Sequence, residues 1–153
     1  MKLKVEDVMI EDVITIKADA TVLQAAKLMN KNEIGCLIVT RKGRAVGIVT
    51  ERDLLKRIVS KSRDPKKTKV REIMTKPLIA GEPEMDIEDA TRLMFDNKIK
   101  KLPVLEHGKL VGLVTLTDLV RYQPQMIRIL KEITARHLAP PKRMQKVIDY
   151  YVI

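Results

Sequence analysis

The chain carries one sequence twice, end to end. Val5–Lys56 reads VEDVMIEDVITIKADATVLQAAKLMNKNEIGCLIVTRKGRAVGIVTERDLLK, and Val70–Arg121 reads VREIMTKPLIAGEPEMDIEDATRLMFDNKIKKLPVLEHGKLVGLVTLTDLVR, offset by 65 positions without a gap. About a third of the aligned positions are identical, and about ten others exchange like for like. Gapless agreement over that length requires a shared backbone, so the unit of structure is a repeat of roughly 55 residues. Each site built by one copy therefore has a counterpart, and differences between equivalent residues carry the functional information.

Each copy reads as β-α-β-β-α. In the first, Val13–Ile16 is a short extended segment. Asp19 and Thr21 are candidate N-caps, and Val22, Ala25, Ala26 and Met29 fall at the i, i+3, i+4, i+7 spacing of a buried helical face. The β-branched run Gly35–Thr40 reads as a strand, Arg41–Arg44 as a hairpin turn with Gly43 able to take positive φ, and Ala45–Thr50 as the returning strand. Glu51–Ser60 is a second amphipathic helix. The second copy repeats this with an extended Leu78–Ala80, a helix over Asp86–Asp96, strands Leu102–Leu105 and Leu110–Thr115 around Gly108, and a helix Leu116–Tyr122 stopped near Pro124. A three-stranded sheet with helices on one face cannot cover itself at this size. Two halves packed face to face about a pseudo-two-fold axis can, which gives an α+β fold. The organisation expected is repeat one over residues 1–60, a basic linker over 61–69, repeat two over 70–123, and a C-terminal helical extension over 124–153. In that tail Gln125–Leu138 places Met126, Ile129, Ile133 and His137 along one helical face, and Pro140-Pro141 separates it from an amphipathic Lys142–Ile153.

Composition excludes several classes. At 153 residues, 45% hydrophobic and 33% charged, the chain reads as a soluble globular protein with a substantial core. No apolar run approaches the ~20 residues of a membrane helix, and the amino terminus MKLKVEDVM lacks the apolar stretch of a secretory signal. Cys36 has no second cysteine to pair with, which fits a reducing cytoplasm and a small buried apolar role. With two histidines and one cysteine there is no metal-ligand spacing. His107 and His137 have no acid or nucleophile at motif spacing, so no catalytic set is expected and the chain does not read as an enzyme. The net charge of +10 is uneven: residues 56–72 carry a net of +6 and 121–153 a net of +5, while 1–55 and 73–120 are nearly neutral at +1 and −2. Such linker and tail charge suits nucleic acid, an acidic partner or anionic lipid, and equally a solvated surface.

The closest local match between copies is Gly-apolar-Val-Thr-x-x-Asp, GIVTERD at Gly47–Asp53 and GLVTLTD at Gly112–Asp118. It falls at a strand-to-helix junction, where the first helical amides are unpaired and attract anions. Asp53 and Asp118 lie in the first turn, where a carboxylate can accept two hydrogen bonds from a vicinal diol such as that of ribose. Thr50 and Thr115, with free amides, can take a phosphate. The plain alternative is Thr as N-cap and Asp as a dipole-favoured first-turn residue.

The gapless duplication, IMTKPLI, the AxxLM helices, KIKKLPVLEHGKLVGLVTLTDLV and GIVTERDLL together resemble tandem cystathionine-β-synthase (CBS) domains paired as a Bateman module, over roughly residues 3–122. The resemblance implies a regulatory module that requires no cofactor and binds adenosine-bearing ligands such as AMP, ADP, ATP, S-adenosylmethionine or methylthioadenosine in two clefts between the repeats. It also implies a homodimer in the form of a four-repeat disc, with a regulated protein as partner. Carried onto this chain, the first cleft joins Thr50, Arg52 and Asp53 to Ala80, Gly81, Lys100, Lys101 and Pro103. The second joins Thr115, Thr117 and Asp118 to Thr15, Ile16, Ile34, Gly35 and Cys36. With no Trp and one Phe, adenine would rest on aliphatic walls and backbone hydrogen bonds. Arg52, Lys100 and Lys101 stand where the second cleft has Thr117, Gly35 and Cys36, so the first is expected to favour phosphorylated nucleotides and the second to bind more weakly, stay empty or prefer a less anionic adenosyl ligand; the plain alternative is that Lys100 and Lys101 solvate a sheet edge. The competing expectation is a nucleic-acid-binding protein acting through the basic linker and tail with strong salt dependence.

Overall fold

The computed structural model describes residues 2–122 together with 128, 131, 132 and 135. The first repeat comprises α1 (Val5–Val8), β1 (Thr15–Lys17), α2 (Val22–Asn32), β2 (Cys36–Arg41), β3 (Arg44–Thr50) and α3 (Glu51–Leu54), which runs on as a π-helical turn over Leu55–Val59. The second comprises α4 (Val70–Ile73), α5 (Ile87–Asp96), β4 (Lys101–Glu106), β5 (Lys109–Thr115) and α6 (Leu116–Tyr122). The class is α+β, as the duplication implied. The tail segments Gln125–Leu138 and Lys142–Ile153 lie outside the described residues, apart from Arg128, Lys131, Glu132 and Ala135, which are helical.

Local chemistry accounts for the shared elements. Thr21 caps α2 in a reciprocal box with Gln24, and Val22, Ala25 and Met29 are its buried residues. Both hairpins turn on two consecutive positive-φ residues, Lys42–Gly43 and His107–Gly108, the geometry of a type I′ turn that matches strand twist. β2 pairs antiparallel with β3, and β4 with β5, in equivalent registers with a bulge at Val39/Thr40 and again at Val104/Leu105.

The two sheets differ at one edge. β1 runs parallel to β2 and completes a three-stranded sheet, whereas the second sheet has two strands. The expected extended segment Leu78–Ala80 is not a strand there; only Gly81 bridges, in parallel, to Val104. Proline explains the loss. The Ala18 N–H donates to the Thr40 carbonyl at 2.9 Å, and the position equivalent to Ala18 is Pro83, which has no N–H to offer.

Two short helices not expected from the periodicity, α1 and α4, cross between the repeats. Val70 and Ile73 of α4 are fully buried in the core formed by Val22, Ala25, Leu37, Val39 and Val49 of repeat one. Val5 and Val8 of α1 are buried with Ile87, Ala90, Met94, Leu102 and Leu119 of repeat two. Beyond each short helix the chain pairs with the far strand, Ile10 with Leu113 and Thr75 with Ile48, both antiparallel. Gly112 and Gly47 make room for this: a methyl group on Gly47 would fall 2.7 Å from the Met74 sulfur and 3.0 Å from the Thr75 carbonyl, and one on Gly112 would fall 2.5 Å from the Met9 sulfur.

The basic segment 61–69 is ordered by its backbone. Carbonyls of Pro65 and Thr68 accept from the Leu23 and Val22 amides, covering the open start of α2. Arg63 pairs with Glu72 at 2.9 Å. Among the described residues no helix is long and apolar enough to cross a membrane.

Candidate functional site

Both Thr-x-x-Asp motifs close on themselves. Thr50 Oγ1 accepts from the Asp53 amide at 3.2 Å and donates to Asp53 Oδ2 at 3.2 Å, and the Thr50 amide donates to the same oxygen at 3.0 Å. Thr115 Oγ1 likewise accepts from the Asp118 amide at 3.1 Å and donates to Asp118 Oδ2 at 2.8 Å. The amides at the start of each helix are taken in the same way: Glu51 N–H donates to the Gly35 carbonyl and Leu116 N–H to the Lys100 carbonyl, each at 3.1 Å. The expectation of free amides for a phosphate is therefore corrected at Glu51, Asp53, Leu116 and Asp118. Capping and strand docking use them.

The environments of the two carboxylates then diverge. Asp53 is 6% exposed. Its Oδ1 accepts from Thr75 Oγ1 at 3.0 Å and lies 3.9 Å from the Arg57 guanidinium, which donates to the Ile73 and Met74 carbonyls. In the other repeat the residues equivalent to Thr75 and Arg57 are Ile10 and Tyr122. Asp118 is half-buried, and among the described residues its Oδ1 has no partner.

A cavity of about 710 Å3 opens between the repeats beside Asp53. Of the residues assigned to the first cleft, Thr50, Arg52, Asp53, Lys100, Lys101 and Pro103 line it together. Ala80 and Gly81 are not among its lining; the stretch of that segment which reaches it is Pro77–Ile79, while Gly81 is buried and bonded to β4. Lys56, Arg57, Thr75, Lys98 and Ile99 also line the cavity and were not singled out from the sequence. Lys98 and Ile99 were within reach of the repeat alignment, as the turn before β4. Arg57 faces the cavity from the π-helical turn, which no periodicity signals.

Of the residues assigned to the second cleft, Thr115, Thr117 and Asp118 stand at the β5–α6 junction, Thr15 is exposed on β1, Ile16 is buried, and Ile34 is half-buried. Gly35 lines the cavity beside Asp53. Cys36 is buried, and burial pushes its thiol pKa up, opposed by the nearby Lys101 ammonium. Gly35 faces both Lys101 and Glu51, so that ammonium and that carboxylate share one edge of the cavity.

Charge separates the site from its counterpart. Six basic side chains line the cavity (Arg52, Lys56, Arg57, Lys98, Lys100, Lys101) against two carboxylates, Glu51 and Asp53. Four of the six, Arg52, Lys56, Lys98 and Lys100, make no ion pair or side-chain hydrogen bond among the described residues. Moving each lining position by one repeat gives two cations, Lys100 and Arg121, against three acids, Asp12, Glu33 and Asp118. Among the described residues no cluster of His, Cys, Asp and Glu is arranged to hold a metal ion.

The CBS domain family model matches residues 5–60 and again 70–125. An uncharacterized protein of Methanopyrus kandleri is 37% identical over 123 residues, covering 79% of this chain and 63% of the relative, so the chain spans less than two thirds of that protein's length. The CBS domain-containing protein YhcV of Bacillus subtilis is 37% identical over 115 residues, covering 75% of this chain and 81% of the relative. A crystal structure of a conserved CBS domain protein of unknown function from Thermoplasma acidophilum superposes with a TM-score of 0.77 at 31% identity, covering 90% of this chain and 77% of the other.

Proposed function

The chain belongs to the CBS-domain family, and we propose that its paired repeats form a regulatory module binding a phosphorylated adenosine ligand (AMP, ADP or ATP) in the cavity beside Asp53. Tandem CBS pairs are in general regulatory ligand sensors. The observation that carries the finer reading is the set of four cations, Arg52, Lys56, Lys98 and Lys100, that line one cavity without an ion-pair partner among the described residues. Like charges held together without carboxylate partners are unfavourable unless an anion joins them, and phosphate oxygens make strong charge-assisted hydrogen bonds to such groups. Ile48, Leu78, Ile79, Ile99 and Pro103 give the same cavity an aliphatic wall for a purine, and Asp53 stands on its inner side. S-adenosylmethionine, with its sulfonium cation, suits the acidic counterpart around Asp118 better. Binding in the seam changes how the repeats pack, and a dimer of the module would pass that change to a regulated protein.

Mass spectrometry of small molecules released from the purified protein, followed by calorimetry with AMP, ADP, ATP and S-adenosylmethionine, tests this reading. The phosphorylated nucleotides are expected to bind at the Asp53 cavity with an affinity that falls at least about tenfold in Lys98→Ala/Lys100→Ala. Asp118→Ala is expected to leave that affinity unchanged. Failure of all three nucleotides to bind, or equal losses from Asp53→Ala and Asp118→Ala, overturns it.

A further inference from the structure

We infer that Thr75 is a specificity residue that makes the Asp53 cavity indifferent to the sugar's 2′-hydroxyl, so that nucleotides are chosen there by phosphate charge. The inference rests on the nucleotide reading of that cavity.

A carboxylate selects a vicinal diol when its oxygens lack partners until the ligand arrives. A ligand without one hydroxyl then leaves a buried acceptor unsatisfied, and the site rejects it. Asp53 is not in that state. Oδ2 already accepts from the Thr50 amide and hydroxyl, and Oδ1 from the Thr75 hydroxyl at 3.0 Å. A ribose hydroxyl reaching Oδ1 shares an oxygen that already accepts from Thr75, so it gains less than it would at an oxygen with no partner. A 2′-deoxy ligand leaves nothing unpaired.

Thr75 is held where it is. Its amide donates to the Ile48 carbonyl at 2.8 Å and its carbonyl accepts from the Ile48 amide at 3.2 Å, so the hydroxyl cannot leave Asp53 by a shift of backbone without breaking that pair. The same position in repeat one is Ile10, which has no hydroxyl, and Oδ1 of Asp118 has no partner among the described residues. One substitution between equivalent positions thus gives the two carboxylates opposite readiness for a diol.

Calorimetric titration of ATP and 2′-deoxy-ATP decides the matter, with Asp118→Ala as the background so that only the Asp53 cavity is read. The two nucleotides are expected to bind within about threefold of each other. Thr75→Val, which removes the hydroxyl and keeps the shape, is expected to favour ATP by about tenfold or more, and Thr75→Ser to restore the tolerance. Thermal melts of each variant confirm that it is folded. A tenfold preference for ATP with Thr75 in place overturns the inference whatever the variants do, as does an unchanged ratio in a folded Thr75→Val. Absence of binding by either nucleotide overturns the nucleotide reading and this inference with it, whereas binding without the expected ratios overturns this inference alone.

Discussion

The Lys101 ammonium lies against Gly35, next to Cys36, and Lys101 and Cys36 occupy the same position of their respective repeats. The pseudo-two-fold axis therefore runs beside a point where one copy supplies a cation and the other a small apolar group. Burial raises the thiol pKa and Lys101 opposes that rise. Alkylation of Cys36 by iodoacetamide at neutral pH is expected to be slower than that of an unfolded-peptide cysteine by about tenfold or more. Lys101→Met removes the opposing cation and is expected to slow it further; mass spectrometry of the alkylated protein over time measures both rates.

The cationic wall predicts a steep salt response. Exposed ammonium and guanidinium groups on a phosphate are screened by added salt. Nucleotide affinity at the Asp53 cavity is expected to fall several-fold between about 50 mM and 300 mM ionic strength, and less in Lys98→Ala/Lys100→Ala. Calorimetry at the two salt concentrations checks this.

The glycines under the crossing arms are expected to resist enlargement. Gly47→Ala drives a methyl group against the Met74 sulfur and the Thr75 backbone carbonyl. A destabilisation of about 1–3 kcal/mol is expected by urea unfolding. Shortening the obstructing side chain in Gly47→Ala/Met74→Ala should couple favourably with the first change, a non-additivity that a double-mutant cycle measures.

Exchange of the short helices makes a non-local prediction. Ile73→Ala removes buried methyl groups from the core of repeat one although Ile73 belongs to the second copy by sequence. A loss of about 2–5 kcal/mol is expected. Hydrogen exchange is expected to show protection falling first in α2 and β2 rather than in α5 and β4.

Lys4 bonds Asp86 at 2.6 Å, tying the chain before α1 to the start of α5. That hydrogen bond, then the Lys4 charge, holds the Asp86 carboxyl below its ordinary value of 3.8. A depressed folded-state value adds stability that is present above the unfolded value and is lost as pH falls through the folded one. Asp86→Asn is therefore expected to lower the melting temperature near neutral pH and to flatten its decline below pH 3.8, read from melts across the acid range.

Much of this was legible in the sequence because duplication turns one weak pattern into two agreeing ones. The hairpins at Gly43 and Gly108, the buried faces of α2 and α5, and the Thr-x-x-Asp junctions were all placed from spacing. What escaped notice depends on contacts between distant segments. Val5–Val8 and Val70–Ile73 are a single helical turn each, too short for a periodicity, and their burial comes from the opposite repeat. Thr75 read as one residue of a family motif, because nothing local indicates that its hydroxyl meets a carboxylate 22 positions earlier. The missing third strand of the second sheet followed from Pro83, whose effect is visible only once its counterpart Ala18 is seen to donate a ladder hydrogen bond.

The traded arms also bear on how such a chain could arise. A lone ancestral unit would have a core lacking the α1 or α4 turn that fills it, and its own arm would extend into solvent. It could complete itself only by lending that arm to a second molecule and borrowing one in return. Joining two such units in one polypeptide turns a reciprocal, concentration-dependent handshake into a permanent one.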